Sequence, residues 1–317
     1  MLQKILIAGV LLASVGGPRP LVSAAQVDVV VFAGQSNMTG AGADYTSIAA
    51  SAVDGQTPYF FDTQGGDASV ARFDSGNVFT TLQGVSIKPD TVNPLLTDRF
   101  GPEIGFARKM AELDASFNLS VVKISFGNSV MADWLKAGGG AFGNAYTDRL
   151  ISGLNTAIGL VTAAGDTPVV RGLVWLQGES DAFDSANHGQ HYEQRLGQFL
   201  SDFRTDISVP TLPFLEVELN NGLATSEANR NLLRQEQLNY VASDANAVLV
   251  SVDGLNLSAS DSRHYEAAEM LVLGERIAQS FNTNFVAVPE PVHAIWIGCG
   301  LIGWGLFRRR QTGLRGR

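Results

Sequence analysis

Val27-Asp28-Val29-Val30-Val31-Phe32-Ala33-Gly34-Gln35-Ser36-Asn37-Met38 runs from an apolar, β-branched stretch straight into a tight polar turn. A run that is apolar almost throughout, rather than alternating, is the pattern of a strand buried on both faces. With 27–33 as the first, four more such runs follow at 119–126, 169–176, 212–219 and 247–252. Helical stretches lie among them. The segment 102–113 opens with Pro102 and Glu103, a helix-start signal. Tyr192, Leu196, Phe199, Leu200 and Phe203 form one apolar stripe in 188–206, and Ala267, Leu271, Gly274, Ala278 and Phe281 form another near the end. Strands alternating with helices predict one three-layer α/β domain over 26–287, with a five-stranded parallel sheet. The segment 41–100 is rich in Gly, Asp, Ser and Thr and has no clear period. It reads as an insertion with short hairpins around 57–61 and 77–81, placed to shape a substrate pocket.

Both ends differ from this body. Residues 1–25 read as a signal peptide: Lys4, an apolar run over 5–15, then small residues up to Ala24 and Ala25. At the other end Val288-Pro289-Glu290-Pro291 precedes an apolar, glycine-containing run over 294–307 and then Arg308-Arg309-Arg310. The run is shorter than the ~20 residues of a stable membrane span, and its arginines would stay cytoplasmic. Residues 288–317 resemble the PEP-CTERM sorting signal of Gram-negative bacteria. That resemblance implies transient inner-membrane anchoring, processing by an exosortase partner, and a final place in the periplasm, at the cell surface or in the extracellular matrix.

The formal net charge is −9. Removing both ends takes away +2 and +4 and leaves −15 on the body. A body that acidic repels nucleic acid and anionic membranes and suits a neutral or weakly charged substrate. The single cysteine, Cys299, lies in the tail, so no intrachain disulfide forms and no cysteine nucleophile or cysteine-based metal site serves the body.

Ligands of parallel α/β sheets bind at the carboxyl ends of the strands, where Ser36 stands. Glycine at 34 permits a turn that exposes the serine, and a helix starting after it would aim N–H groups at an oxyanion. The same residues also fit a serine that merely caps a helix. A serine nucleophile needs a base, and the chain has four histidines. His293 belongs to the tail. His188 and His191 have the i, i+3 spacing of a metal pair, but no carboxylate or cysteine pattern completes a site. His264 remains, in Asp261-Ser262-Arg263-His264, again at a strand's carboxyl end. Across a turn, Asp261 reaches Nδ1 and leaves Nε2 for the serine; the plainer alternative is a helix-capping aspartate beside a surface histidine. Phe126-Gly127-Asn128-Ser129 and Trp175-Leu176-Gln177-Gly178-Glu179-Ser180-Asp181 close two other strands. They offer the Gly127 N–H and the Gln177 amide as oxyanion donors, with water holding the amide's place at rest. Trp134 and Trp175 also fit ordinary core packing.

Gly-Gln-Ser-Asn-Met, then glycine seven residues before tryptophan, then Trp-x-Gln-Gly-Glu-x-Asp, then Asp-x-x-His resembles the sialate O-acetylesterase-like branch of the SGNH hydrolases. That branch includes the acetylxylan esterases of carbohydrate esterase family six. The likeness spans about 27–280, and Phe100-Gly101-Pro102-Glu103 adds a further block. It implies a flavodoxin-like sheet, no cofactor and no metal. It makes Ser36 the nucleophile, His264 the base, Asp261 its orienting acid, and Glu179 an alternative acid. Ser36 N–H, Gly127 N–H and Gln177 would form the oxyanion hole. Gln35, Asn37, Asn128, Trp134 and Arg263 are the candidates for substrate contact. Two departures stand out. Gly127-Asn128-Ser129 replaces the usual Gly-Gly-Thr, and asparagine tolerates left-handed backbone better than most residues. Asp261-Ser262-Arg263-His264 replaces Asp-Gly-(Ile/Leu)-His. Pointing inward, Arg263 would lower the histidine pKa or bind an acidic sugar; pointing outward, it does nothing. The expectation is an exported serine esterase that removes acetyl groups from carbohydrate. A general short-chain esterase or lipase is one alternative. The other is a catalytically silent matrix protein that stacks sugars on Tyr59, Phe60 and Trp134.

Overall fold

The computed structural model describes residues 24–65, 72–87, 96–138, 144–184 and 189–287. The expected sorting tail, His188 and nearly all of the expected leader lie outside them. The strands are β1 (Gln26–Gly34), β2 (Pro58–Gln64), β3 (Arg72–Asp74), β4 (Thr80–Thr81), β5 (Val85–Ile87), β6 (Leu96–Arg99), β7 (Leu119–Phe126), β8 (Thr167–Leu176), β9 (Phe214–Val217) and β10 (Ala247–Val250). The helices are α1 (Ser36–Thr39), α2 (Glu103–Leu113), α3 (Ser152–Ala163), α4 (Glu179–Phe183), α5 (Tyr192–Asp206), α6 (Glu227–Ser243) and α7 (Ala267–Phe281).

The main sheet has the order β10-β9-β8-β1-β7-β2-β3. All pairs from β10 to β2 are parallel. The five expected strands are present in the 2-1-3-4-5 order of flavodoxin-like sheets. The expected count of five is corrected to six parallel strands, because β2 joins the sheet beside β7. It comes from the segment read as an insertion with hairpins. Antiparallel pairing of β2 with β3 and β4 supplies the hairpin character. Tyr59 and Phe61 face one core layer and Phe60 the other, so β2 is buried on both faces like its neighbours.

The layers follow from alternation along β1. Val29, Val31 and Ala33 pack against α3, α5 and α6, through Leu154, Phe199 and Leu233 among others. Val30 and Phe32 pack against α2 and α7, through Ile104, Phe106 and Leu273. All five predicted stripe residues of α5 are buried. In α7 the apolar face is centred on Met270, Leu273, Gly274, Ile277, Ala278 and Phe281. A Cβ on Gly274 would lie 2.2 Å from the Pro102 carbonyl oxygen, so glycine lets α7 meet the start of α2 backbone to backbone.

Chain connections leave β1 toward β7 on one side and reach β8 on the other. The crevice of this switch point opens at the carboxyl ends of β1 and β8, where such sheets hold ligands. Residues 35–36 and 177–179 sit there.

Candidate active site

Gly34 ends β1 at φ 151°, and a Cβ there would sit 2.0 Å from the Leu176 carbonyl oxygen of β8. No other residue fits that approach. The Gln35 N–H donates to the same Leu176 oxygen at 3.0 Å. Ser36 then begins α1, a single turn closed by Thr39 N–H to Gln35 O (2.8 Å) and Gly40 N–H to Ser36 O (2.9 Å).

The hydroxyl of Ser36 lies 3.0 Å from His264 Nε2, and His264 Nδ1 lies 2.6 Å from Asp261 Oδ2. With Nδ1 protonated toward the carboxylate, Nε2 accepts the serine proton. Asp261 Oδ1 accepts the backbone N–H groups of Arg263 (2.8 Å) and His264 (3.1 Å). Burial pushes the Asp261 carboxyl up, but the bonds from His264 and from these two N–H groups outweigh it and hold it below the usual carboxylate range. Ser262 is in the left-handed region at φ 51°. Asn128 takes the same conformation at φ 58°, as its tolerance of left-handed backbone allows.

Glu179 does not touch the histidine through a hydrogen bond. Its Oε1 accepts from Asn37 Nδ2 at 2.6 Å, and its other oxygen is buried without a partner. Burial pushes this carboxyl up, against the bond from Asn37. Asn37 also donates to Arg263 O (3.0 Å) and accepts from Tyr265 N–H (3.1 Å). One buried amide thereby grips the residues on both sides of His264. Asn37 is a strut between three loops, not the substrate contact expected of it.

Gln35 is corrected for the same reason. It is 2% exposed, and its Oε1 accepts from Gln177 Nε2 (3.1 Å), Gly178 N–H (3.4 Å) and Ser180 N–H (3.2 Å). Trp134 is fully buried against Phe126, Trp175 and Phe199, and donates to Ser129 Oγ at 3.0 Å. It belongs to the core, as do Tyr59 and Phe60. Asn128 is exposed at the end of β7.

The expected oxyanion donors divide. Gly127 N–H is spent on the Gln64 carbonyl at 2.8 Å, extending the β2–β7 ladder. Gln177 Nε2 has two hydrogens and three acceptors: Asp181 Oδ2 (2.6 Å), Ser129 O (2.9 Å) and Gln35 Oε1. Both groups are therefore corrected: they brace the site from behind in this arrangement. Asp181, which also takes the Met131 N–H, is itself pushed up to about 7 by burial. The Ser36 N–H has no hydrogen-bond partner among the described residues.

Arg263 is exposed, with its guanidinium carbon 4.9 Å from the centroid of the Phe183 ring. On the Asp261 side, a cleft of about 730 Å³ is lined by Gly42, Asp44, Ser47, Ser260, Asp261 and Glu266, among others. Gly42, Asp44 and Ser47 of the 41–100 segment line this cleft together with Asp261. His191 is exposed on a 3-10 turn, and no group of three His, Cys, Asp or Glu side chains among the described residues is placed to hold a metal.

A family model described as carbohydrate esterase, sialic acid-specific acetylesterase, matches residues 26–283. The chain belongs to this family. A probable carbohydrate esterase of Arabidopsis thaliana is 29% identical over 116 residues, 37% of this chain and 42% of that protein. The match thus spans under half of that relative's length. A solved structure of an Arabidopsis thaliana protein superimposes with a TM-score of 0.57 at 19% identity, covering 81% of this chain and 98% of the other. A structure of a carbohydrate acetylesterase from Xanthomonas citri gives 0.52 at 18% identity, covering 82% and 56%. At these identities the likeness is one of fold.

The serine turn rests on a buried ion pair outside the sequence motifs. Lys123 of β7 and Glu103 of α2 are fully buried 2.8 Å apart, and Lys123 also donates to Thr39 O (3.3 Å) in the serine turn. Glu103 Oε1 accepts as well from Gly101 N–H (3.1 Å) and Tyr59 OH (3.4 Å). Burial lowers the Lys123 pKa, and Glu103 partly offsets that. A lysine inside the apolar run Val121-Val122-Lys123-Ile124 was the visible signal. Its partner stands in the Phe-Gly-Pro-Glu block.

Proposed function

We propose that this protein is a serine acetylesterase of O-acetylated carbohydrate that works through an acyl-enzyme. The observation that carries this reading is the hydrogen-bonded series Ser36–His264–Asp261 at 3.0 and 2.6 Å. His264 takes the Ser36 proton as the hydroxyl oxygen attacks the acetyl carbonyl carbon. Asp261, held ionised, stabilises the imidazolium that forms. The Ser36 N–H, unspent among the described residues, is the donor assigned to the developing oxyanion, a contribution often worth ~3–4 kcal/mol. His264 returns the proton to the departing sugar oxygen. Water then attacks the acetyl-serine with His264 as base, releasing acetate.

The leader at 1–25 and the tail at 288–317 extend the proposal to export. Exosortase processing at the envelope of a Gram-negative bacterium would bring the enzyme to cell-surface or matrix polysaccharide.

Acetate release from acetylated xylan, O-acetylated sialic acid and acetylated bacterial exopolysaccharide is the test, with wild type beside Ser36→Ala. Release that falls at least ~10³-fold in the variant is the expected outcome. Hydrolysis confined to lipid esters would overturn the carbohydrate assignment, and silence toward an activated acetate ester would overturn the esterase.

A further inference from the structure

One carboxylate ties together the loops that follow β1, β7 and β8. Asp181, in α4, is fully buried. Its Oδ2 accepts from Gln177 Nε2 at 2.6 Å, and its two oxygens take the Met131 N–H at 3.1 and 3.0 Å. Gln177 Nε2 also reaches Ser129 O (2.9 Å) and Gln35 Oε1 (3.1 Å). Gln35 Oε1 accepts in turn from the Gly178 and Ser180 N–H groups, and Gln35 O closes the serine turn by accepting from Thr39 N–H. Gln35 directly precedes Ser36. The series therefore runs from Asp181 to the nucleophile through two side chains.

Every hydrogen-bond partner of Asp181 is a donor. A proton on either oxygen would meet an N–H group, so the ionised carboxylate is the form that fits this arrangement. No cation pairs with it among the described residues, and burial pushes the carboxyl up to about 7. The charges around it pull both ways: Arg195 of α5 favours ionisation, and Asp133 of the 131–134 turn opposes it. The Tyr192 hydroxyl of α5 is directed to Gln177 O at 3.1 Å, and Glu179 of the same turn to Asn37. On α6, which packs against α4, Arg230 holds the Leu223 and Thr225 carbonyls, Arg234 holds Glu218, and Glu236 takes the Glu193 N–H. His191, on the turn beside α4, is exposed. None of these offers an acceptor for a proton on Asp181, which is taken up when Gln177 or Met131 gives way.

We propose that the ionised Asp181 carboxylate is a positioning residue for Ser36, acting through Gln177 and Gln35, and that its protonation releases them and slows acylation. The inference rests on the esterase reading for the role of Ser36, whereas the titration of Asp181 does not.

The experiment follows wild type and Asp181→Asn from about pH 5 to about pH 9 with an activated acetate ester, reading kcat, KM and Tm. Asparagine has the same shape but brings N–H groups to a place that faces donors, so it mimics the protonated acid. At the alkaline end kcat is expected to fall about 10–10²-fold in the variant, with KM little changed. On the acid limb, wild-type kcat/KM falls more steeply than one ionisation allows, and the variant shows the ionisation of the base alone. Stability moves the other way. Burial raises this carboxyl in the folded state, so its contribution is full below the ordinary carboxylate range and is lost as pH rises through about 7. Wild-type Tm therefore drops relative to that of Asp181→Asn over the window in which wild-type kcat gains. An aspartate that only held the fold together would move both in the same direction. Matching acid limbs in two active proteins, or undiminished kcat in the variant, would overturn the proposal and leave the esterase standing. If Asp181→Asn does not fold, wild type decides alone. A steep acid limb together with an aspartate carboxyl titrating near neutral in carbon-13 NMR supports the proposal, and no aspartate titrating above about pH 6 overturns it. Absent turnover in wild type at every pH would remove the esterase reading, and the role at Ser36 with it, whatever Asp181 titrates at.

Discussion

Ser36 stands on backbone with no room to move, whereas His264 stands on a loop tied down by side chains. On the serine side, Gly34 is pressed against Leu176, and Lys123 and Glu103 lie sealed beneath the turn. On the histidine side, the Asp261 side chain is 38% exposed and that of His264 23%. Position there comes from two hydrogen bonds to Asn37 and two backbone N–H bonds to Asp261. A nucleophile must not drift, so close packing suits it. A base must swing a proton from serine to leaving group, and a hydrogen-bonded loop keeps its orientation while leaving one face toward solvent. The two regions therefore differ in what breaks them.

The largest effect is expected at Gly34. Alanine there meets the Leu176 carbonyl at 2.0 Å in a left-handed conformation, and the loss should exceed ~4 kcal/mol, enough to prevent folding of a marginal domain. Soluble yield and urea denaturation measure it; a well-folded Gly34→Ala would mean that the β1–β8 contact yields easily.

Lys123→Met comes next. It leaves Glu103 buried without its cation, at a cost of about 3–5 kcal/mol, and Lys123→Met with Glu103→Gln should recover most of that. Equal midpoints for the single and double variants would remove the ion pair from the account of the serine side.

Asn37→Ala joins the comparison at its hinge, because this residue reaches from the serine turn to the histidine loop. Stability should fall by about 1–3 kcal/mol as Glu179 and the 263–265 backbone lose their partner. Displacement of His264 by even ~1 Å should lower kcat by about 10²-fold. A drop in stability with kcat intact would show that Asp261 alone orients the loop.

The smallest effect is expected at Ser262. Glycine relieves a left-handed residue but loosens the unfolded chain, so Ser262→Gly should stabilise by less than about 1 kcal/mol. Ser262→Val, with a branched Cβ at φ 51°, should lower both Tm and kcat; parity of the two variants would exempt this loop from backbone strain.

Much of the serine side was readable in one dimension. A buried-strand pattern followed by glycine and a polar turn depends on neighbours in the chain, and β1, β7 and β8 follow from the same pattern. The elements missed were those with weak local signals. α3 carries Gly153, Asn155, Thr156 and Gly159, and α6 buries only Leu233, Gln237 and Tyr240 along 17 residues. Neither shows a broad apolar stripe, so tertiary packing supplies what propensity withholds. β2 was visible as a strand but not as a member of the parallel sheet, because pairing partners leave no mark on a single short run.

The sequence by itself determined the order of the layers, the serine at the end of the first strand, and the choice of His264 by elimination among four histidines. Tertiary structure alone decided which polar groups face the reaction and which face inward. Gly127 N–H lost its expected role once β2 brought the Gln64 carbonyl to 2.8 Å. Gln35 and Asn37 lost theirs to partners more than 40 residues away in the chain, and Gln177 lost its to Ser129 and Gln35 at that range together with the nearby Asp181. The physical reason is that a backbone conformation is set largely by adjacent residues, whereas a donor's free hydrogen is whatever remains after distant acceptors have been satisfied.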